Sequence, residues 1–68
     1  MNAFDKVAEC MRAANDATDT ETKLAWQSLA RLWINLANEL ALMSEAERTL
    51  EELRLLDLED AVRPRVLH

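Results

Sequence analysis

The chain has no glycine, one proline and one cysteine, and its single histidine is the last residue. Each scarcity excludes something. Without glycine no residue takes positive φ at low cost, so two-residue hairpins, phosphate-cradling loops and glycine-capped helix ends are not expected. Cys10 cannot close a disulfide within the chain, and with His68 as the only imidazole no Cys/His zinc cluster can form. Aromatics are limited to Phe4, Trp26 and Trp33, and Val and Ile together number four, so strand formers are few. No apolar run approaches the roughly 18 residues of a spanning helix, and the N-terminus lacks the basic-then-apolar order of a signal peptide. A cytoplasmic protein is expected, which also suits an unpaired thiol.

What the chain does contain is leucine and alanine: 12 and 11 of its 68 residues, half of which are hydrophobic. Both are strong helix formers, and the expected class is all-α, with one domain over residues 1–62 and a short tail over 63–68. A core of this size supplies only roughly 3 to 5 kcal/mol unless something staples it. With no disulfide or metal available, self-association or docking on a larger protein is the expected stabiliser. Thirteen acids against eight bases give a net charge of -5. That is the wrong sign for neutralising phosphates, so no nucleic-acid partner is expected. Most of the excess lies beyond Ser44, where seven acids meet four arginines.

Helical periodicity begins at about Ala3 and runs to Asp16, with Phe4, Val7, Met11 and Ala14 as the apolar stripe and Ala3, Ala8 and Cys10 beside it. The stretch from Asn15 to Thr20 breaks the pattern, because side chains that bond their own backbone compete with helix there. Thr18 and Glu21 form a capping-box spacing for a second helix, with Asp19 as the alternative cap. A connection this short makes the two helices antiparallel neighbours.

The second helix is expected from about residue 19 to 43, continuing or restarting to about 60. Its apolar positions from Ala25 to Met43 span roughly 160°, wider than the roughly 100° that one partner layer covers. Past Met43, Ala46, Leu50 and Leu53 stay in phase with Leu29, Leu32, Leu36 and Met43, which favours one continuous or gently kinked helix, about 58 Å long from Thr20 to Leu58. Ser44 with Glu47 is a second capping box, and marks where a separate helix would start. Pro64 stops the helix by Val62. The expected architecture is an antiparallel helical hairpin with a long second helix, kinked or broken near Ser44 as the alternative, completed to a bundle by oligomerisation or a partner.

Candidate chemistry is thin. Cys10 lies one turn from Lys6, which could stabilise a thiolate, but a lone cysteine on a helix flank reads better as a small buried hydrophobe. The acids from Glu45 to Asp60 lack the Glu-x-x-His pairs of di-iron bundles and the glycine of a calcium loop, and alternate with Arg48 and Arg54 as a solvated surface does. Trp26 and Trp33, seven residues apart, share a face without the cationic groove that accompanies base stacking. Only Lys23 and Arg31 flank the apolar face, too few for a membrane-surface helix. Nothing brings a nucleophile, a base and oxyanion donors together, so no enzyme, cofactor or metal is expected.

Residues 17–23, Ala-Thr-Asp-Thr-Glu-Thr-Lys, followed by Trp26, Leu29-Ala30, Trp33 and Leu36-Ala37, resemble a class of very short, functionally uncharacterised alphaproteobacterial proteins, of rhizobia and their relatives especially. These have a T-D-x-E-x-[KR] turn and an L-A-x-x-W-x-x-L-A second helix. The resemblance covers residues 3 to 40 and implies a helical hairpin and a bacterial cytosol. It carries no functional residue. Many of these relatives have proline where this chain has Thr20.

The expected function is that of a small helical interaction module, self-associating as a homodimer through an apolar face. The expected interface residues are Trp26, Leu29, Trp33, Leu36, Leu40 and Met43, with Leu50 and Leu53 along the seam that continues it. The alternative is an accessory subunit or regulator docking the same face on a larger protein, with the acidic segment 44–60 steering it.

Overall fold

The computed structural model describes residues 2–63. It consists of three helices, α1 (Ala3–Asp16), α2 (Thr20–Glu39) and α3 (Glu45–Val62), with a single 3-10 turn, Leu40–Leu42, at the end of α2. The remaining tail, residues 64–68, and Met1 lie outside the described residues.

The fold corrects the expected architecture. A continuous second helix would run about 58 Å, yet the longest dimension of the molecule is 38 Å, because the helix ends at Glu39 and the chain turns back. An antiparallel hairpin awaiting an oligomer or a partner is replaced by a compact bundle in which α3 covers the hairpin within one chain. The physical reason lies in the turn. Leu40–Leu42 tightens to 3-10 geometry and the Met43 amide donates to the Leu40 carbonyl. Met43 and Ser44 are then extended, at φ -103°, ψ 145° and φ -69°, ψ 161°. Ser44 restarts the helix: its hydroxyl accepts from the Glu47 amide at 3.2 Å and donates to the Glu47 carboxylate at 3.0 Å. The Ser44 side-chain cap and two extended residues reverse the chain with no left-handed residue, and no residue has positive φ among those described.

The first turn uses the same device. Ala17 is extended, and Asp19, rather than Thr18, caps α2 by accepting from the Thr22 amide at 2.9 Å. Those bonds favour the ionised carboxyl, the backbone bond from Thr22 most of all, and hold Asp19 below its ordinary pKa. Replacing Ser44 by alanine removes the start signal of α3 and is expected to cost about 1 kcal/mol. Thermal melts of Ser44→Ala followed by helical circular dichroism would read that loss.

Helix α1 packs on α2 through small residues. Its buried seam is Ala3, Lys6, Cys10 and Ala14, with Val7 and Ala13 partly buried, whereas Phe4 and Met11 face outward. Short side chains let the two backbones approach closely over the bulky α2 row of Trp26, Leu29, Ala30, Trp33 and Leu36, all buried. Phe4 and Met11 would hold them apart. Helix α3 adds Leu55 to this core, with Leu56 and Val62 packed against it.

Candidate functional site

Burying Lys6 and Glu59 creates the chemical centre of the bundle. Glu59, on α3, keeps only 4% of its side chain exposed, and its carboxylate meets Lys6 Nζ of α1 at 2.8 to 3.0 Å. Arg63 reaches the same carboxylate at 2.6 Å from one turn further along, and Lys6 also meets Glu9 at 3.3 Å. Both cations lie over tryptophan faces: Lys6 Nζ is 5.9 Å from the Trp33 ring and the Arg63 guanidinium 5.8 Å from the Trp26 ring. Burial alone would discharge Glu59, but the bonds from Lys6 and Arg63 outweigh it and hold its carboxyl below the ordinary value. Burial likewise opposes the Lys6 charge, and the bonds to Glu59 and Glu9 outweigh it and raise the amine. Both groups are therefore ionised at neutral pH.

Cys10 lies beside this cluster and is fully buried. Burial, helped by the Glu59 charge, pushes its thiol up to about 11, and the nearby Lys6 only partly offsets this. A thiol so placed is a poor nucleophile. Between the ordinary value of 9.0 and 11 the unfolded chain releases a proton that the folded chain retains, so folding weakens as pH rises through that window. Cys10→Ala is expected to flatten the alkaline limb of a stability profile. Native chain at pH 8 should react with a thiol reagent only as fast as it unfolds.

A cleft of about 240 Å³ opens above the cluster, lined by Glu9, Arg12, Asp16, Trp26, Glu59 and Arg63 among others. Its three carboxylates are balanced by its two guanidiniums together with the Lys6 amine that meets Glu9 and Glu59, and no nucleophile faces it. Among the described residues no His, Cys, Asp or Glu group of three or more is placed to hold a metal ion, and no helix is long and apolar enough to cross a membrane.

The apolar surface is the second feature. Trp26, Leu29, Trp33 and Leu36 are brought together, but inside the chain's own core, under α1 and α3. Leu40 and Met43 are half-buried against that core. Leu50 and Leu53 stand apart from all of them, at 67% and 58% exposure. Helix α3 is turned so that Leu55, Glu59 and Val62 face in and Ala46, Leu50 and Leu53 face out. Arg48, Glu51 and Glu52 are half-buried on its inner side. A groove of about 290 Å³ between α2 and α3 adds Leu32 and Leu58, beside Ala25 and Ala61. Leu42, on the turn, is 87% exposed.

The chain has no significant match among protein families, curated proteins or solved structures. Its reading therefore rests on geometry. Two features of that geometry escape sequence reasoning. The Lys6–Glu59 pair joins residues 53 apart, and neither has a neighbour in sequence that marks it as buried. The outward turn of Leu50 and Leu53 was masked by their phase with the α2 stripe. No sequence signal marks it, because it follows from the burial of Glu59 on the opposite side of the helix.

Proposed function

We propose that the chain is a small, non-enzymatic helical interaction module, and that it self-associates through the outward face of α3. The observation that carries this reading is the exposure of Leu50 and Leu53 on the side of α3 opposite Leu55 and Glu59, which face the core. The inner face already has Leu55, Leu56 and Val62 to pack on the core, so Leu50 and Leu53 are apolar side chains the bundle does not use, and exposed apolar side chains that cluster mark contact sites. Because the bundle is complete within one chain, association adds to the fold and does not create it. The kinship of residues 3–40 with the alphaproteobacterial proteins, and a bacterial cytosol as its place, belong to the same proposal. They are supported by the cap, the turn and the two tryptophans.

Light scattering across a concentration series tests it. The wild type is expected to gain mass with concentration, and Leu50→Glu, which leaves the core untouched, to weaken association at least about tenfold. A wild type that stays monomeric into the millimolar range would instead favour docking of this face on a larger protein.

A further inference from the structure

Resting on that reading, we propose that the self-association is an antiparallel pairing of α3 with α3 of a second copy, about a two-fold axis between Leu50 and Leu53, with each Arg54 facing the partner's Glu47. The row Ala46, Leu50, Leu53, Asp57 alternates steps of four and three, the spacing of a seam between two helices. Turned end for end on itself, it sets Leu50 against the partner's Leu53 and Ala46 against the partner's Asp57. A two-fold contact of this kind uses one patch twice.

Charge selects the direction. Glu47 and Arg54 are seven residues apart and so lie about 20° apart around the helix, on the same flank of the row. Glu47 is on the N-terminal side of the axis and Arg54 on the C-terminal side, so antiparallel pairing carries each to its opposite charge, twice per dimer. Both are available. The Arg54 side chain is 73% exposed and held only by a contact of 3.9 Å to Glu51. Glu47 is exposed and uses one carboxylate oxygen on the Ser44 hydroxyl, leaving the other free. Asp57, the one charge within the row, falls over the first turn of the partner's α3, where the helix dipole favours a carboxylate but Glu45 and Glu47 already stand, so it adds no attraction and the direction rests on the Glu47 and Arg54 pairs. A parallel pair would set Asp57 against the partner's Asp57 and leave Arg54 without a carboxylate. The row is short, so the contact belongs with transient interfaces, below about 1,200 Å².

Two single variants test the register. Glu47→Lys alone and Arg54→Glu alone each place like charges across both flanks, and are expected to weaken self-association about tenfold. Mixed in equal amounts they restore opposite charges on both flanks, since the introduced lysine then faces the introduced glutamate and the native Arg54 faces the native Glu47. The mixture is expected to recover wild-type association by light scattering. Because Glu47 also caps α3, cross-linking gives a second reading. In a Cys10→Ala background, Ala46→Cys and Asp57→Cys chains are expected to form a disulfide when mixed and neither to do so alone. A wild-type dimer lost in Leu50→Glu but not recovered by mixing, or Asp57→Cys cross-linking with itself as fast as the mixture, overturns the register and leaves self-association standing. A monomeric wild type overturns both.

Discussion

Glu59→Ala is expected to destabilise the chain by about 3 kcal/mol, the low end of the cost of breaking a buried ion pair. A chain of this length holds roughly 3 to 5 kcal/mol in total, so the variant should keep only about 0 to 2 kcal/mol and have a measurable unfolded population at 25 °C. The loss follows from what is left behind. Lys6 is 11% exposed, and without Glu59 it keeps only the Glu9 carboxylate at 3.3 Å. Arg63, whose side chain is 55% exposed, can turn to water and adds little. Removing both buried charges should behave differently. Lys6→Met with Glu59→Leu replaces the pair by apolar volume, and such exchanges are commonly neutral or stabilising. Urea melts of the single and double variants, followed by tryptophan emission, separate the two cases. A double variant as unstable as Glu59→Ala would mean that α3 needs the ion pair for its placement, and a stable Glu59→Ala would remove the pair from the account of the fold.

The same pair shapes the acid limb of stability. The folded Glu59 carboxyl is held below its ordinary value of 4.5. Its contribution is therefore present above the unfolded carboxyl's range and lost as pH falls through the depressed value. Lys6 is raised above 10.5, so its contribution is present below that value and lost as pH rises through the raised one. Between those limits the pair is constant, and the alkaline decline begins earlier, with Cys10. Glu59→Gln is expected to flatten the acid limb and to shorten the Cys10 limb without abolishing it, because burial, the larger cause of the raised thiol, remains while the Glu59 charge is gone.

Much of the helical layout was legible because a chain without glycine must punctuate its helices with Asp, Ser and Asn. The end of the first helix and the Ser44 cap could both be read directly. The architecture was not legible, for a specific reason. Ala46, Leu50 and Leu53 do fall in phase with Leu29, Leu36 and Met43, so periodicity alone favours one long helix. What decides is a tertiary gain: folding back buries Leu55, packs Val62 against the hairpin and brings Lys6 to Glu59, whereas an overhanging helix leaves Leu55 and Val62 in water and Glu59 with only its own-helix neighbour Arg63. The first helix shows the same limit. Hydrophobicity placed Phe4 and Met11 inside, but close approach to two tryptophans selects Ala3, Cys10 and Ala14 and admits Lys6, whose stem packs while its amine finds Glu59. The expected interface divides accordingly. Its tryptophans and Leu29 and Leu36 are core, Leu40 and Met43 are half-buried at the edge of that core, and Leu50 and Leu53 are fully on the surface.

Trp33→Ala is expected to abolish folding, and Trp33→Phe to be tolerated. Trp33 has no exposed surface, and truncating a buried tryptophan costs about 3 to 5 kcal/mol, again close to all that a chain of this size holds. The variant also removes the ring beneath Lys6 Nζ, leaving the amine over a cavity. Phenylalanine keeps most of the ring and the cation contact. It also deletes a liability, since Trp33 Nε1 is buried with no acceptor among the described residues. A buried donor left unpaired costs about 1 to 3 kcal/mol, which offsets much of the volume that phenylalanine gives up, so Trp33→Phe is expected within about 1 kcal/mol of wild type. Trp26 then remains as the only fluorophore, and its emission under denaturant gives the midpoint. A Trp33→Phe variant as unstable as Trp33→Ala would show that the indole N-H has an acceptor in solution, and a folded Trp33→Ala would move the centre of the core away from this residue.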